Sequence, residues 1–466
     1  IRREEKEMGQ RMSFSWVLLL LMVIATVCHA DWKRDTVGLY SRYYEVKVGD
    51  GRNDGVQRVY CCCYNGHVVE WSFDGNDWIM VDCGSVPLSP DYRLISLRIG
   101  DGRGDGLNRI YSACADGNIY EFSYDGGIWS LDTVGIPGVF YAGQDIGYPR
   151  NDDTVRVCAG GWNTPVREYT WNGTSWNSVD VSPGNRYIWP LDIAQGRNDG
   201  INRIYAPDWY LYYLREYSWN GVGYDELTIS APQPLVKAIV GEGRNDGMNR
   251  VYASGKLGHV HEYTYQSEAW QSVDIHPSAP LRSRYGLCFG QTRSDGLLRL
   301  YSVAQGGDIR EHSWDGMAWA DTVIDAITGA TVDIVVGRGR NDDTARVYVT
   351  CASGLLFEYT NTSPYVGIEG STYGPSEIFM DVSPNPSAFV SSIDYSIPQS
   401  GRVVMSVHNI LGAEVCRLVD DFQPAGCHTI HYDMRDKNGI DLPAGVYFCR
   451  LGLENRETIE KIIRVN

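Results

Sequence analysis

One short motif recurs seven times along this chain, and its regular spacing limits the possible fold more than any other feature. Each copy contains Arg-x-Asp, then Arg followed by Val, Ile or Leu and by Tyr or Cys, and then a Glu next to an aromatic residue or His. A period this regular indicates one supersecondary unit stacked on itself. The separations of the leading arginines are 51, 47, 47, 47, 49 and 47 residues, and these arginines are Arg52, Arg103, Arg150, Arg197, Arg244, Arg293 and Arg340.

Each repeat has room for four short strands and for no helix of normal length. The copy at residues 239–275 reads IVGEGRNDG, then MNRVYASGKLGHVHEYTYQ, then SEAWQSVDI, so that apolar runs alternate with Gly, Asn and Asp clusters. The Asn-Asp-Gly segment suits a tight turn, because these residues tolerate positive φ. Four antiparallel strands per period of about 45 residues predict a propeller blade, and seven copies predict a seven-bladed β-propeller in an all-β protein.

A second pattern predicts how the ring closes. Six copies carry a late aromatic residue on the strand that we expect to be outermost: Trp78, Trp129, Trp176, Tyr224, Trp270 and Trp319. The seventh copy stops at Tyr359 without one, whereas residues 32–37 read WKRDTV, against WSLDTV at residues 129–134. The N-terminal strand is therefore predicted to complete the last blade, which removes a free sheet edge.

The N-terminal residues have the composition of a secretory signal peptide. Arg11 is followed by an apolar run at residues 16–27 and a small-residue exit at Ala30, and translation is expected to begin at Met8 or Met12. No other stretch is long and apolar enough to span a bilayer. We therefore expect a leader at residues 1–30, the propeller at 31–360, a linker at 361–376 and a further module at 377–466.

The C-terminal residues alternate short strands with Gly, Pro and Asn turns, which predicts a β-sandwich. Their landmarks resemble the C-terminal sorting domain of the type IX secretion system: Pro384-Asn385-Pro386, Leu411-Gly412, Ala425-Gly426, Asn438-Gly439, Ala444-Gly445-Val446-Tyr447 and Lys461. The resemblance implies export from a Gram-negative bacterium, through contact with the secretion machinery, to the outer cell surface or the medium. A plain immunoglobulin-like accessory module is the alternative.

Charge and motif content exclude several functions. The formal net charge is −17 with no basic tract, which argues against nucleic acid as a partner. No Gly-x-Ser-x-Gly, His-Glu-x-x-His or phosphate-binding loop occurs. A propeller glycosidase or lyase would need a unique, non-repeating group of acids near the central axis, and we expect the acids to follow the repeat instead. We therefore expect no enzyme activity, with a polysaccharide-acting enzyme as the minor alternative.

The repeat itself supplies the candidate polar sites. One is the turn aspartate, at Asp54, Asp105, Asp152, Asp199, Asp246, Asp295 and Asp342. Such an Asp accepts backbone N–H bonds within its loop. Calcium is the alternative, although one Asp per loop offers few of the six to eight oxygens that calcium takes. No cofactor is otherwise expected. Three cysteines at equivalent positions, Cys63, Cys114 and Cys351, are predicted to be small core residues.

The other candidates are arginine–glutamate pairs at a spacing of twelve residues, or thirteen in one blade. They are Arg58/Glu70, Arg109/Glu121, Arg156/Glu168, Arg203/Glu216, Arg250/Glu262, Arg299/Glu311 and Arg346/Glu358. The spacing places each pair on neighbouring antiparallel strands at about the same level. Either the pairs are structural ion pairs, or they line pockets in which charged groups bind sugar hydroxyls and an aromatic residue packs on the sugar.

The segments RVY and IREHSWDGMAW resemble the repeat of the fungal fucose-binding lectins, which are six-bladed propellers. In that family the Arg and Glu contact fucose and an aromatic residue completes the site. The resemblance implies glycan ligands, with the Arg–Glu pairs above as binding residues and Trp78, Trp129, Trp176, Trp270 and Trp319 as aromatic candidates. The sequence thus predicts an exported, lectin-like propeller, with a protein-interaction or adhesion scaffold as the alternative.

Overall fold

The structure is a computed structural model that describes two parts of the chain. These are residues 31–363 apart from 88–92, 136–139, 185, 277–281 and 328, and residues 379–465 apart from 384, 386, 388–390, 398–400, 424–425, 438 and 454–455. The predicted signal peptide and most of the predicted linker lie outside the described residues. By its internal contacts the chain divides into two compact units, one with the repeats and one with the C-terminal residues.

Seven antiparallel sheets, which we call blades I to VII, form the first unit. The chain begins with β1 (Trp32–Leu39) and then enters blade I. The strands of blades I to III are β2 (Tyr43–Gly49), β3 (Arg58–Cys63), β4 (His67–Phe73) and β5 (Trp78–Ser85) in I; β6 (Leu94–Gly100), β7 (Arg109–Cys114), β8 (Ile119–Asp125) and β9 (Ile128–Thr133) in II; and β10 (Phe140–Gly147), β11 (Arg156–Thr164), β12 (Arg167–Trp171), β13 (Trp176–Asp180) and the short β14 (Arg186–Tyr187) in III.

The later blades repeat this order. Their strands are β15 (Asp192–Ala194), β16 (Arg203–Pro207), β17 (Tyr213–Trp219) and β18 (Tyr224–Ser230) in IV; β19 (Leu235–Gly241), β20 (Arg250–Gly255), β21 (Val260–Gln266) and β22 (Ala269–Asp274) in V; β23 (Arg284–Gly290), β24 (Arg299–Ala304), β25 (Asp308–Trp314) and β26 (Trp319–Ala326) in VI; and β27 (Thr331–Gly337), β28 (Arg346–Cys351) and β29 (Leu355–Asn361) in VII.

Blade VII is completed from the other end of the sequence. β1 pairs with β29 in antiparallel register from Trp32 opposite Asn361 to Leu39 opposite Leu355. Trp32 is buried and packs edge-on against Tyr301 of blade VI. The predicted seven-bladed propeller and its closure by the N-terminal strand are both confirmed, and closure covers the edge that β29 would otherwise expose.

The strand order gives the propeller two different faces. The first strand of each blade contacts the first strands of its neighbours, as β2 does with β6 and β27, so these strands surround the axis. Because the strands are antiparallel, the loop after each first strand and the loop after each third strand lie at one end, which we call the turn face. The opposite end, the mouth face, holds the hairpin between the second and third strands and the connection to the next blade.

The Arg-Asn-Asp-Gly loops of the turn face join the blades to one another. Their asparagines adopt positive φ, 60° at Asn53 and 59° at Asn198, as the motif predicted. The Asn53 amide donates to the carbonyl of Asn108 in the next blade, and its oxygen accepts the Asn108 N–H. Four other asparagines, Asn151, Asn198, Asn245 and Asn341, bind the following blade in the same way.

Apolar packing between blades follows the repeat as well. The late aromatic of one blade packs edge-on against the tyrosine of the preceding blade, as with Trp129 on Tyr60 and Trp270 on Tyr205, at ring separations of 6.3 and 5.9 Å. Cys63, Cys114 and Cys351 are buried core residues, as predicted. Such aromatic pairs add about 0.5–1.5 kcal/mol beyond their buried area, so the repeat stabilises every junction in the same way.

The C-terminal unit is the predicted β-sandwich. Its two sheets are β30 (Phe379–Ser383), β31 (Ser391–Ile397) and β34 (Gly426–Tyr432), and β32 (Gly401–Asn409), β33 (Glu414–Gln423), β35 (Gly445–Leu453) and β36 (Arg456–Arg464). One core joins them, with Ile393, Tyr395, Met405 and Leu451 at its centre. Of the predicted landmarks, Pro384, Pro386, Ala425 and Asn438 lie outside the described residues. No helix among the described residues could cross a membrane.

Candidate functional site

The structure brings each predicted arginine–glutamate pair together inside a blade. Tyr60 lies opposite Glu70 in the register, so Arg58 and Glu70 sit on adjacent strands, as the spacing predicted. The Arg58 Nε to Glu70 Oε1 distance is 3.4 Å, and the other six blades show 3.5–3.8 Å between the same atoms. These separations are longer than a good hydrogen bond, which indicates that the groups have closer partners elsewhere.

The second arginine of the motif is held by the turn aspartate. Both terminal nitrogens of Arg58 donate to the carboxylate of Asp54, at 2.8 and 2.7 Å. The same carboxylate accepts the N–H of Val56, which is the loop role predicted for it. Six such pairs are Arg58/Asp54, Arg109/Asp105, Arg156/Asp152, Arg203/Asp199, Arg250/Asp246 and Arg346/Asp342.

These contacts change the acidity of the turn aspartates. The hydrogen bonds from the arginines lower the pKa of Asp54 and of Asp105 to about 2. The pKa values of the Asp152, Asp199, Asp246 and Asp342 carboxyls are shifted in the same direction for the same reason. Among the described residues, no group of three His, Cys, Asp or Glu side chains could hold a metal ion, and calcium stays an untested prediction.

In six blades the glutamate is held by the leading arginine of its own motif, a partner that was not predicted from the sequence. Arg52 donates from Nε and from one terminal nitrogen to the two oxygens of Glu70, at 2.8 and 2.7 Å. A spacing of 18 residues, or 19 in blade IV, recurs between these two positions in every repeat. That spacing is as regular as the twelve-residue spacing, so spacing alone does not decide which of the two arginines the glutamate pairs with. The other five are Arg103/Glu121, Arg150/Glu168, Arg197/Glu216, Arg244/Glu262 and Arg340/Glu358.

The leading arginine also reaches the next blade. The Arg103 guanidinium carbon lies 4.0 Å from the ring centre of Trp171, and that of Arg244 lies 3.9 Å from Trp314. Four more arginine–aromatic pairs connect neighbouring blades: Arg52/Tyr124, Arg150/Trp219, Arg197/Tyr265 and Arg340/Phe73. Stacking of a guanidinium on an aromatic ring is favourable, so the side chain of the leading arginine joins two blades.

Every glutamate of the repeat is buried, which argues against the prediction that these residues contact a ligand. None is more than 3% exposed, and the members of this set are Glu70, Glu121, Glu168, Glu216, Glu262, Glu311 and Glu358. The arginines paired with them in the sequence are 4–8% exposed: Arg58, Arg109, Arg156, Arg203, Arg250, Arg299 and Arg346. A sugar in an open pocket between blades would not reach these carboxylates. Each carboxylate lies inside its own blade, where strands and aromatic rings of the next blade cover it.

Other donors complete the surroundings of these carboxylates. Glu262 accepts hydrogen bonds from Arg244, from the Tyr252 hydroxyl at 3.1 Å and from the Trp319 indole of blade VI at 3.1 Å. The hydroxyl of Tyr301 donates to Glu311 at 3.0 Å.

The tryptophans of the repeat are structural as well. The predicted aromatic candidates Trp78, Trp129, Trp176, Trp270 and Trp319 all pack on tyrosines of the preceding blades. Their rings therefore serve the junctions between blades. Of the two interpretations of the arginine–glutamate pairs, the geometry favours the structural one.

A group of charged residues that does not repeat lies at the axis. Lys237 of blade V donates to Asp333 of blade VII at 2.7 Å and lies 3.6 Å from Glu45 of blade I. Lys47 lies 2.7 Å from Glu45 and 3.6 Å from Asp333. Lys237 thus contacts blades that are not neighbours of its own, so these contacts cross the axis. The expectation that all acids follow the repeat was therefore wrong, because only folding brings these residues together.

Arg98 extends this axial group toward blades III and IV. It donates to Glu45 and to Asp145, at 2.8 and 3.1 Å. Burial raises the pKa of Glu45, but Lys47, Arg98 and Lys237 outweigh it and hold that pKa well below its ordinary value. Burial and the nearby Asp145 raise the pKa of Asp192 to about 7. The cations therefore concentrate around Glu45 and Asp333, whose carboxylates are neutralised by ion pairs.

The mouth face above this group holds a cavity of about 240 Å³ with an aromatic wall. Glu45, Lys237 and Asp333 line it together with Tyr44, Trp189, Trp209, Tyr285 and Arg42. The Trp189 and Trp209 rings stack at 4.5 Å with 23° between their planes, and Tyr285 is nearly parallel to Trp209 at 6.3 Å. We call these residues, together with the exposed Tyr210 beside them, the aromatic mouth.

One part of the aromatic mouth comes from a departure from the repeat. Blade IV has an enlarged hairpin between β16 and β17, which carries Trp209, Tyr210 and Tyr212. Tyr212 has a φ of 57°, a conformation that costs a non-glycine side chain free energy. Tyr210 and Tyr212 are 50% and 49% exposed. This site was not predicted from the sequence, although WYLYY at residues 209–213 is an aromatic run that no other repeat contains.

The comparisons with known proteins support the fold. No protein-family model and no curated protein matches the chain. BBS1N in complex with ARL6DN resembles it with a TM-score of 0.52 and 15% identity over 73% of this chain and 98% of that one. At this level of identity the likeness shows the fold alone, and it agrees with a propeller.

Two further solved structures have TM-scores below 0.5 and add nothing to the assignment. PorZ, a surface component of the type IX secretion system of Porphyromonas gingivalis, gives 0.47 and 12% identity over 91% of this chain and 60% of that one. YCF48 from Cyanidioschyzon merolae gives 0.48 and 11% identity over 71% of this chain and 99% of that one.

Proposed function

We propose that this protein is an exported, lectin-like propeller that binds glycans at the aromatic mouth. The observation that carries the proposal is the parallel arrangement of Trp189, Trp209 and Tyr285 around an open cavity with charged groups at its base. Aromatic faces pack against the apolar faces of sugar rings, and charged groups bind hydroxyls strongly. A site with an apolar wall and a few polar groups has the usual composition of a ligand pocket.

In this proposal the arginine–glutamate pairs support the site rather than contact the ligand. Six of the glutamates accept from their leading arginines, and Glu262 also accepts from a tyrosine and an indole. A sugar hydroxyl would have to displace these donors from a carboxylate that is 1% exposed. Losing these hydrogen bonds from charged donors costs more free energy than a hydrogen bond from a neutral hydroxyl recovers. Direct fucose contacts by these pairs are therefore disfavoured.

The export part of the proposal rests on the predicted signal peptide and on the tail that resembles a type IX sorting domain. A propeller at the cell surface would meet polysaccharides outside the cell. Catalysis is not part of the proposal, because the acids that line the cavity, Glu45 and Asp333, are held in ion pairs with lysines, and Asp192 is not one of the lining residues. A general acid needs a carboxyl that gains a proton near working pH, and cations oppose that.

The principal alternative is a protein-interaction scaffold, and a matched pair of tyrosines separates the two. Tyr210 of the aromatic mouth is 50% exposed, and Tyr148 on the turn face is 47% exposed. We expect Tyr210→Ala to weaken binding on a glycan array by about tenfold, because one aromatic face is lost, while Tyr148→Ala leaves it unchanged. A blank array with the labelled full-length protein would exclude glycans and favour a protein partner.

A further inference from the structure

We infer that the glycan bound at the aromatic mouth is anionic and carries carboxylate or sulfate groups. This inference rests on the proposed function and specifies the ligand class. It comes from two cations, Arg42 and Lys256, that lie at the rim. The Arg42 guanidinium carbon is 5.5 Å from the ring centre of Tyr44 and 5.4 Å from that of Tyr64, and Lys256 Nζ is 3.9 Å from that of Trp209.

Neither rim cation has a carboxylate partner within 4.0 Å among the residues that the structure describes. The other cations near the axis differ in this respect, because Lys47, Arg98 and Lys237 all pair with acids. Lys256 is partly buried against Trp209 and Tyr210, at 3.9 and 4.9 Å from their rings. An ammonium group that has lost part of its water gains more from a bound anion than an exposed one does.

The charge of the whole protein makes this placement informative. The chain has 58 acidic and 41 basic residues, so a cation without an acidic neighbour is not the expected arrangement. A net charge of −17 repels anions from most of the surface. Binding of an anionic chain therefore needs a local positive site, and Arg42 and Lys256 supply it beside the rings that would hold the sugar.

The acids at the mouth do not cancel this positive charge. Glu45 and Asp333 line the cavity, but they share three cations: Lys47, Lys237 and Arg98. Asp208, in the enlarged hairpin, is fully buried, accepts the N–H groups of Tyr210 and Leu211, and pairs with Arg215. Within the described part of the mouth, a ligand therefore meets two cations without acidic partners, and these three carboxylates are already occupied.

Three tetrasaccharides test the inference by calorimetry on the full-length protein. One is a polyuronate, one is the same compound with its carboxylates reduced to alcohols, and one is a sulfated neutral sugar. We expect the polyuronate or the sulfated compound to bind about tenfold or more tightly than the reduced one, because charge-assisted hydrogen bonds are lost on reduction. Added salt should weaken only the charged ligands.

Substitutions test whether the two rim cations cause the preference for charged ligands. Arg42→Gln and Lys256→Met should each weaken the charged ligand by about tenfold and leave the reduced ligand nearly unchanged, and Lys256→Arg should retain binding. The control is Arg338→Gln, an exposed arginine on the turn face, which should have no effect. Equal binding of the reduced and the charged compounds would overturn the anionic preference and leave the lectin proposal standing. Failure of all three compounds, together with a blank glycan array, would overturn both.

Discussion

The two faces of the propeller differ in how closely their loops follow the repeat. On the turn face the blades share an Arg-x-Asp loop, and in five blades its asparagine binds the next blade. On the mouth face the blades differ, and blade IV has an enlarged aromatic hairpin. The repeated face pairs its arginines with its own acids in six blades, whereas the mouth face leaves Tyr210 and Tyr212 half exposed. The difference indicates that the repeat maintains the ring and that departures from it provide recognition.

The largest effect is expected at the buried glutamates that hold the blades together. Glu262→Ala removes the acceptor of Arg244, Tyr252 and Trp319 and leaves Arg244 without its anion. Breaking a buried pair on one side costs about 3–5 kcal/mol. We expect the free energy of unfolding in urea to fall by that amount, while the remaining folded protein binds glycan normally. Unchanged stability with lost binding would show that the pair is a ligand site instead.

The second-largest effect is expected from acid, which should destabilise the loops of the turn face. Arginine contacts lower the pKa of Asp54 and Asp105 to about 2, below the value near 3.9 of an unfolded chain. A lowered pKa contributes stability that is complete above about pH 4 and is lost as the pH falls toward 2. The melting temperature should therefore drop across this window. The double variant Asp54→Asn/Asp105→Asn should show a shallower drop, whereas the exposed pair Asp77→Asn/Asp153→Asn should follow the parent.

A smaller effect is expected from the asparagine contacts between blades. Asn198→Gly keeps the positive φ but removes two hydrogen bonds to Asn249, which should cost about 1–2 kcal/mol. The matched control is Asn163→Gly at the mouth end of β11, because Asn163 also has positive φ, 51°, and is exposed. Urea unfolding should separate the two variants. Equal losses would mean that the asparagines matter only for backbone conformation.

The smallest effect should have the opposite sign. Tyr212 adopts the left-handed conformation at φ 57°, where the turn face uses asparagine or glycine. Tyr212→Asn should raise the free energy of unfolding by about 1 kcal/mol, because asparagine tolerates this conformation. The same variant should bind glycan less well, since an aromatic side chain is lost. If stability falls instead, Tyr212 contributes packing that outweighs its backbone strain.

Most of the fold could be predicted because it is periodic. The spacing of the leading arginines indicated the number of blades, and the likeness of residues 32–37 to residues 129–134 indicated the closure that β1 and β29 confirm. The partners within a blade were harder to predict. Arg58 and Arg52 both lie within reach of Glu70, and side-chain geometry, not spacing, pairs Glu70 with Arg52 and Asp54 with Arg58.

The same reasoning could not predict the candidate site. Trp189 and Tyr285 occupy the same position of the repeat in blades IV and VI, whereas Trp209 comes from the hairpin of blade IV. The repeat does not indicate which of these rings stack. Lys237 and Asp333 are 96 residues apart, and Val46 and Asp333 are 287 apart, yet both pairs are hydrogen bonded. Only the closure of the ring sets these distances, so no local pattern in the sequence reports them.

The sequence by itself determined the blade, the number of blades, the closing strand and the polar turn of each blade. It could do so because each of these follows from local strand and turn chemistry repeated at a constant period. The tertiary structure alone decided which residues meet at the axis and which aromatics stack at the mouth. Those contacts depend on which residue type each blade carries at a given position and on how seven twisted sheets fit around one axis, and the period fixes neither.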